Sequence, residues 1–97
     1  MTKPEAVKHD RIRQLILKAL EPGYPTPLDT IVLRRHMANF GYPLSEEELN
    51  SYLAYLEDKE LVKIDKRQGG IVLVRLLAKG LDVLDERIKV CGVGQEF

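Results

Sequence analysis

The hydrophobic pattern of the chain changes its period near Glu60. Before this position apolar residues recur about every 3.6 positions, which is typical of amphipathic helices, and the clearest set is Leu49, Tyr52, Leu53 and Leu56. After it, residues 61–77 hold two β-prone runs on either side of the turn Lys66-Arg67-Gln68-Gly69-Gly70. Two such runs around a Gly-Gly turn are typical of a β-hairpin. The chain is therefore expected to form helices first and a hairpin afterwards.

Two helices are predicted before residue 44. Residues 5–21 are predicted to form a helix that ends at Pro22-Gly23. Its single apolar face consists of Ile12, Leu15, Ile16, Ala19 and Leu20. The second helix is predicted to begin with Thr26 as its N-cap, because Pro27 suits the first helical position and Asp29 follows three residues after the cap. Gly41 is the expected left-handed terminator of this helix.

The third helix, over residues 45–59, has the strongest start signal in the chain. Ser45 and Glu48 are spaced as a capping box, and Leu44 and Leu49 are spaced as a hydrophobic staple. A last helix is predicted over residues 78–87, with Leu81, Leu84 and Ile88 on one side. The predicted fold is thus mainly α with one β-hairpin, in the order α-α-α-β-β-α, the outline of a winged helix-turn-helix.

Length and composition predict one domain without a membrane span. The chain has 97 residues, of which 44% are hydrophobic and 31% charged, and no apolar run approaches the ~20 residues of a span. A single winged-helix domain over residues 1–97, with a flexible or irregular tail at 89–97, is the expected organisation. The N-terminus has no signal-peptide pattern, so a cytoplasmic location is expected. Cys91 is the single cysteine, which excludes an internal disulfide.

Two short motifs carry a resemblance to a known family. They are Tyr55-Leu56-Glu57-Asp58-Lys59-Glu60-Leu61-Val62 and Leu77-Ala78-Lys79-Gly80-Leu81. Residues 10–88 resemble small bacterial winged-helix transcription regulators, in which the first motif ends the recognition helix and the second leaves the wing. The chain is also similar in length and ending to small winged-helix proteins of Mu-like prophages. Glu60 and Leu77 depart from the family pattern, which has Gly and a capping Thr at these positions. The resemblance implies a DNA-binding role in transcription regulation.

The third helix is unusually acidic for a DNA reader. Residues 45–60 carry six Asp or Glu and one Lys, a charge of −5 within a chain of net charge zero. The face opposite the core holds Glu47, Ser51, Ala54 and Asp58, with Asn50 and Tyr55 beside it. Asn50 and Ser51 are candidates for contacts with base edges, and Tyr55 for a contact with phosphate or a thymine methyl. The alternatives are a solvated helix surface and a face that contacts protein.

Basic residues lie on the hairpin and on the second helix. Lys63, Lys66, Arg67 and Arg75 are candidates for phosphate contacts, or alternatively for charges that protect a sheet edge. Arg34 and Arg35 are placed to clamp phosphate, or alternatively to pair with the acidic third helix.

Catalytic, metal and cofactor patterns are missing from the sequence. His9 and His36 have no metal-ligand spacing, and no phosphate loop or dinucleotide fingerprint is present, so neither an enzyme nor a cofactor is expected. Two functions remain open. One is binding of double-stranded DNA, as a homodimer through the first and last helices. The other is docking of the acidic third helix on a protein partner with a basic surface.

Overall fold

The computed structural model describes residues 3–93 of the chain. Four α-helices and three β-strands lie in this range in the order α1 (Lys3–Leu20), β1 (Leu28–Asp29), α2 (Thr30–Asn39), α3 (Glu46–Asp58), β2 (Val62–Lys66), β3 (Val72–Leu76) and α4 (Ala78–Leu84). Short 3-10 turns at Glu21–Gly23 and Gln68–Gly70 follow α1 and connect the two hairpin strands. The predicted order of helices and hairpin is confirmed, and β1 is the element that the sequence did not predict.

The three strands form one antiparallel sheet in the order β1-β3-β2. Val62 lies opposite Leu76 and Lys66 opposite Val72 in the hairpin, while Leu28 lies opposite Val74 on the other side of β3. β3 is therefore the central strand, and β2 is an edge. This sheet decides how α3 and the hairpin face each other.

The predicted start of the second helix is wrong. Asp29 is the N-cap of α2, since its side chain accepts a hydrogen bond from the Ile31 backbone N–H at 2.7 Å. Thr26 lies in the preceding loop because Leu28 and Asp29 are extended and pair with β3. A pairing partner more than 40 residues away in the chain overrides the local capping pattern.

One hydrophobic core joins all four helices to the sheet. The predicted core face of α3 is confirmed, since Leu49, Tyr52, Leu53 and Leu56 are all buried. They pack in one cluster with α1, α2 and both hairpin strands, through residues that include Ile16, Leu33, Met37, Val62 and Val74, and Leu81 of α4 packs against this cluster. α3 is thereby locked on one side, which leaves its opposite face exposed.

The capping box at the start of α3 is complete. Ser45 Oγ accepts from the Glu48 N–H at 3.1 Å, and the Glu48 carboxylate accepts from the Ser45 N–H at 3.0 Å. The hydrogen bonds that Ser45 makes to the Glu48 carboxylate, first from its backbone N–H and then from its side chain, lower the pKa of Glu48 below its ordinary value. Leu44 and Leu49, the predicted staple pair, are both buried in the core.

The ends of α2 and α3 share one hydrogen-bond pattern but differ in the residue that adopts positive φ. The Tyr42 N–H reaches the Met37 carbonyl after α2, and the Leu61 N–H reaches the Leu56 carbonyl after α3. Both are Schellman motifs, which need a residue with positive φ. Gly41 supplies it with φ of 93° after α2, whereas Glu60 adopts φ of 63° after α3. Glu60 therefore retains the Schellman geometry in place of the family's Gly, at the conformational cost of a positive φ in a residue that has a side chain.

The last helix is shorter than predicted. α4 ends at Leu84 instead of Arg87, and Leu77 caps it without a side-chain hydrogen bond. Residues 90–93 continue as a turn closed by a bridge between Val90 and Val93, and Val93 is buried. The remainder of the predicted tail, residues 94–97, lies outside the described residues. None of the helices in residues 3–93 has both the length and the apolar character that a bilayer span requires.

Candidate nucleic-acid interface

A groove of about 800 Å³ separates α3 from the hairpin. Three of the predicted site residues line it, each from a different element: Arg34 from α2, Asn50 from α3 and Lys66 from β2. Its apolar lining includes Leu53, Ala54, Ile64 and Val72. Basic and amide side chains that are far apart in the sequence therefore meet along one concave surface.

The start of α2 forms one wall of this groove. Thr30 and Ile31 line it, and the Ile31 side chain is 66% exposed. Ile31 was not among the predicted site residues, because an isoleucine by itself carries no sequence signal for a binding surface. An exposed isoleucine beside polar groups offers a ligand an apolar contact.

Arg34 has a structural contact as well as a place in the groove. Its Nε donates to the Leu44 carbonyl at 3.1 Å, which ties α2 to the residue that precedes the α3 N-cap. The expected ion pairs between the arginines of α2 and the acidic third helix do not occur within residues 3–93. Arg35 is exposed and does not line the groove.

The acidic residues of α3 divide into structural and exposed ones. Glu48 completes the capping box, and the Glu57 carboxylate accepts from the Ile64 N–H at 2.9 Å. This bond covers a backbone donor on the outer edge of β2, where strands otherwise expose unpaired groups. Glu46, Glu47 and Asp58 remain exposed, and Glu46 lines the groove. Part of the −5 block is thus used to build the fold.

The exposed face of α3 carries the polar residues that were predicted to contact base edges. Asn50, Ser51 and Ala54 are all exposed, as the helical pattern predicted. Asn50 and Ala54 line the groove, whereas Ser51 does not. Of the two polar residues predicted to contact base edges, Asn50 is therefore the one that shares the groove with Arg34 and Lys66.

The predicted hairpin cations do not share one surface. Side chains alternate between the two faces of a strand, and Val62, Val74 and Leu76 are buried on the inner face. Lys66 lies on the same face of β2 as Val62 and lines the groove. Lys63, Arg67 and Arg75 lie on the opposite face of the hairpin and line a separate hollow. Arg67 is paired there with Asp65, its Nε lying 2.7 Å from a carboxylate oxygen.

Tyr55 lies on the other flank of α3, away from the groove. Its hydroxyl donates to the Cys91 carbonyl at 2.7 Å, and the Arg13 guanidinium lies 3.9 Å from its ring centroid. Arg13 also donates to the Gly92 carbonyl at 3.0 Å. These contacts fasten residues 91–92 to α1 and α3. The sequence contains no local signal for them, because Arg13 and Gly92 are 79 positions apart.

A buried carboxylate adjoins this cluster. Asp10 is 3% exposed, and one of its oxygens lies 3.5 Å from Arg13 while the other lacks a hydrogen-bond partner. Burial raises the pKa of Asp10 above its ordinary value, although the charges of Arg13 and His9 oppose the rise. His9 Nδ1 lies 2.5 Å from the Tyr52 hydroxyl, whose pKa is also raised by burial. In the described residues no three His, Cys, Asp or Glu side chains come together as a metal site.

Comparison of the chain with protein-family models, with curated proteins and with solved structures found no match.

Proposed function

We propose that this chain is a winged-helix module that binds double-stranded DNA along the groove between α3 and the hairpin. The observation that supports it is the convergence of Arg34, Asn50 and Lys66 from three elements on one concave surface. In this arrangement α3 faces the major groove, Lys66 contacts a phosphate and the start of α2 lies over the backbone. Such a protein acts in transcription regulation.

Chemistry assigns different tasks to the three side chains. An asparagine amide can donate to and accept from adenine in the major groove, so Asn50 is the candidate for base recognition. Lys66 and Arg34 contribute attraction to phosphate that does not depend on sequence. Ser51 and Arg35 are exposed on the adjoining α3 and α2 surfaces and extend the proposed contact. Tyr55 has its hydroxyl engaged by Cys91, and the proposed interface does not rest on it.

The charge of α3 limits the expected affinity. Glu46 and Glu57 in the groove and Glu47 beside it repel phosphate, and among the described residues the cations that line the groove are Arg34 and Lys66 alone. Binding at low salt is therefore expected in the range of non-specific complexes, with Kd of roughly 1–100 µM. A homodimer that joins α1 and α4 of two copies would raise this affinity by engaging successive major grooves about 34 Å apart.

Fluorescence anisotropy with a labelled duplex at several salt concentrations tests the proposal. Lys66→Gln is expected to weaken binding to all sequences and to reduce the slope of log K against log salt by about 0.9. Asn50→Ala is expected to weaken binding mainly to preferred sequences. Lys18→Gln is the matched control, because Lys18 is exposed on α1 and does not line the groove. No binding at roughly 100 µM protein, the weak end of non-specific complexes, would overturn the proposal.

The second candidate function is docking on a protein with a basic surface. It is favoured by the exposure of Glu46, Glu47 and Asp58 on α3, which have no ion-pair partner within residues 3–93. The double variant Glu47→Lys/Asp58→Lys separates the two functions. Removal of repulsive charge strengthens binding to DNA, whereas the same change weakens binding to a basic protein.

A further inference from the structure

We infer that the outer face of the sheet holds a phosphate-binding site that is separate from the groove. Lys63 on β2 lies directly opposite Arg75 on β3, and both side chains are exposed. They line a hollow of about 290 Å³ together with Pro25 and Pro27. This site lies on the face of the hairpin that does not carry Lys66.

The pairing of Lys63 with Arg75 is unfavourable unless an anion is bound. Like charges directly opposite each other on neighbouring strands destabilise a sheet. Asp65 is the carboxylate in this hollow, and it is already paired with Arg67 at 2.7 Å. Neither Lys63 nor Arg75 has an ion pair or a hydrogen bond from its side chain within residues 3–93. Two neighbouring cations are thus left without a counter-charge.

Protection of a sheet edge explains only one of the two cations. Lysine on an edge strand discourages pairing with another chain, and β2 is an edge. Arg75 lies on β3, which has β1 on one side and β2 on the other. A charge on the central strand does not serve as edge protection, so the arginine calls for a different explanation.

The shape and chemistry of the hollow suit a phosphate group. A guanidinium donates two parallel hydrogen bonds to phosphate oxygens, and an ammonium adds a compact charge. Proline has no backbone N–H and a fixed φ, so Pro25 and Pro27 supply a stiff apolar wall beside the charges. The phosphate can belong to a nucleic-acid backbone or to a small phosphorylated compound, because both present the same oxygens.

Pyrophosphate titration of the full-length, ¹⁵N-labelled chain tests the site. Amide shifts at Lys63 and Arg75 are expected to saturate at roughly millimolar pyrophosphate, a concentration typical of a solvent-exposed ion contact. Sodium chloride at matched ionic strength is not expected to reproduce them. Lys63→Gln/Arg75→Gln is expected to weaken binding about tenfold or more, because both charge-assisted contacts are lost. Lys18→Gln, which removes an exposed charge on α1, is expected to leave it unchanged.

The outcome is independent of DNA binding in the groove. Shifts at Lys63 and Arg75 that are absent, that do not saturate, or that survive in Lys63→Gln/Arg75→Gln would overturn the inference, even if the groove binds DNA. Saturation at Lys63 and Arg75 supports it, even if the groove does not. A short duplex added to the Lys66→Gln/Asn50→Ala variant identifies the source of the phosphate. Displacement of pyrophosphate by the duplex indicates a nucleic-acid backbone, and retention indicates a small phosphorylated compound.

Discussion

The two flanks of α3 differ in how their polar groups are used. On the flank that faces α1, the hydroxyls of Tyr52 and Tyr55 bond to His9 and to the Cys91 carbonyl, and Arg13 lies against both rings. On the flank that faces the hairpin, the Asn50 side chain has no hydrogen bond within the described residues, although it lines the groove. We call these the closed flank and the open flank of α3.

This difference separates stability from function. Bonds within the closed flank contribute to the free energy of folding, because those of Tyr52 and Arg13 join partly buried groups that would otherwise lose their partners. Exposed polar groups on the open flank contribute little to folding and remain available to a ligand. Substitutions on the closed flank should therefore change stability, and those on the open flank should change binding.

The largest loss of stability is expected for Arg13→Met. The substitution removes the bond to Gly92, the contact with the Tyr55 ring and the counter-charge of buried Asp10. A loss of about 2–3 kcal/mol in the free energy of unfolding is expected, since an uncompensated buried charge is costly. Urea denaturation measures it. Arg11→Met is the matched control, because exposed Arg11 hydrogen-bonds Gln14 on its own helix and its loss should cost under about 0.5 kcal/mol. Equal effects of the two substitutions would remove the distinction between the flanks.

A smaller effect, with a defined pH dependence, is expected for Asp10→Asn. The pKa of Asp10 is raised in the folded state, so the folded protein binds its proton more tightly than the unfolded chain does. Stability contributed by this group is present at low pH and is lost as the pH rises from the ordinary value of 3.8 through the folded pKa. The Asp10→Asn variant lacks this loss. Its free energy of unfolding relative to wild type should thus increase with pH across that window, and urea denaturation at a series of pH values should detect the trend. A constant difference would contradict the assignment.

Tyr55→Phe is expected to cost about 1 kcal/mol, the usual contribution of one hydrogen bond. The substitution keeps the ring under Arg13 and removes only the bond to the Cys91 carbonyl. Tyr24→Phe is the control, because Tyr24 is exposed in the loop before β1. Thermal unfolding followed by circular dichroism compares the two. A Tyr55→Phe variant as stable as wild type would mean that residue 55 is free to contact a ligand instead.

Glu60→Gly is expected to stabilise the protein by about 0.5–1 kcal/mol, because glycine adopts positive φ without steric cost. Gly41→Ala, at the equivalent position after α2, is expected to destabilise it by a similar amount. Glu60→Ala separates the effect of φ from the effect of charge, since alanine retains the Cβ. A gain in stability for Glu60→Ala as large as that for Glu60→Gly would indicate that charge repulsion, and not backbone conformation, is relieved.

The smallest effect on stability is expected on the open flank. Lys66→Gln and Asn50→Ala should each change the free energy of unfolding by less than about 0.5 kcal/mol, as is usual for exposed positions without partners. The same variants are the ones expected to weaken DNA binding. A stability loss comparable to that of Tyr55→Phe would show that the groove residues support the fold.

Local elements of the fold were predictable because their signals lie within a few residues. The capping box joins Ser45 to Glu48, and the core face of α3 follows from helical spacing. The hairpin follows from two β-prone runs around Gly69-Gly70, and its alternation determines which residues share a face once one buried residue is known. The start of α2 was mispredicted because β1 depends on β3, a strand far along the chain.

The candidate sites were predictable only as sets of residue types. Lys63, Lys66, Arg67 and Arg75 were identified as candidates for phosphate contacts, and the two faces of the sheet divide them between the groove and the outer hollow. Arg34 was expected to contact either phosphate or an acidic side chain, and it donates to a backbone carbonyl. Such partners depend on packing between distant elements, on which local sequence carries no information.

The sequence by itself determined the order of helices and hairpin, the start of α3 and the residues that α3 buries, because hydrophobic period and capping are local properties. The tertiary structure determined which polar side chains are hydrogen-bonded within the fold and which remain available to a ligand. Glu57 is bonded to the edge of β2 and Tyr55 is bonded to the chain after α4, whereas Asn50 and Lys66 face the same groove. The physical reason is that a polar side chain is available to a ligand only where no backbone or side-chain group of the folded chain reaches it first.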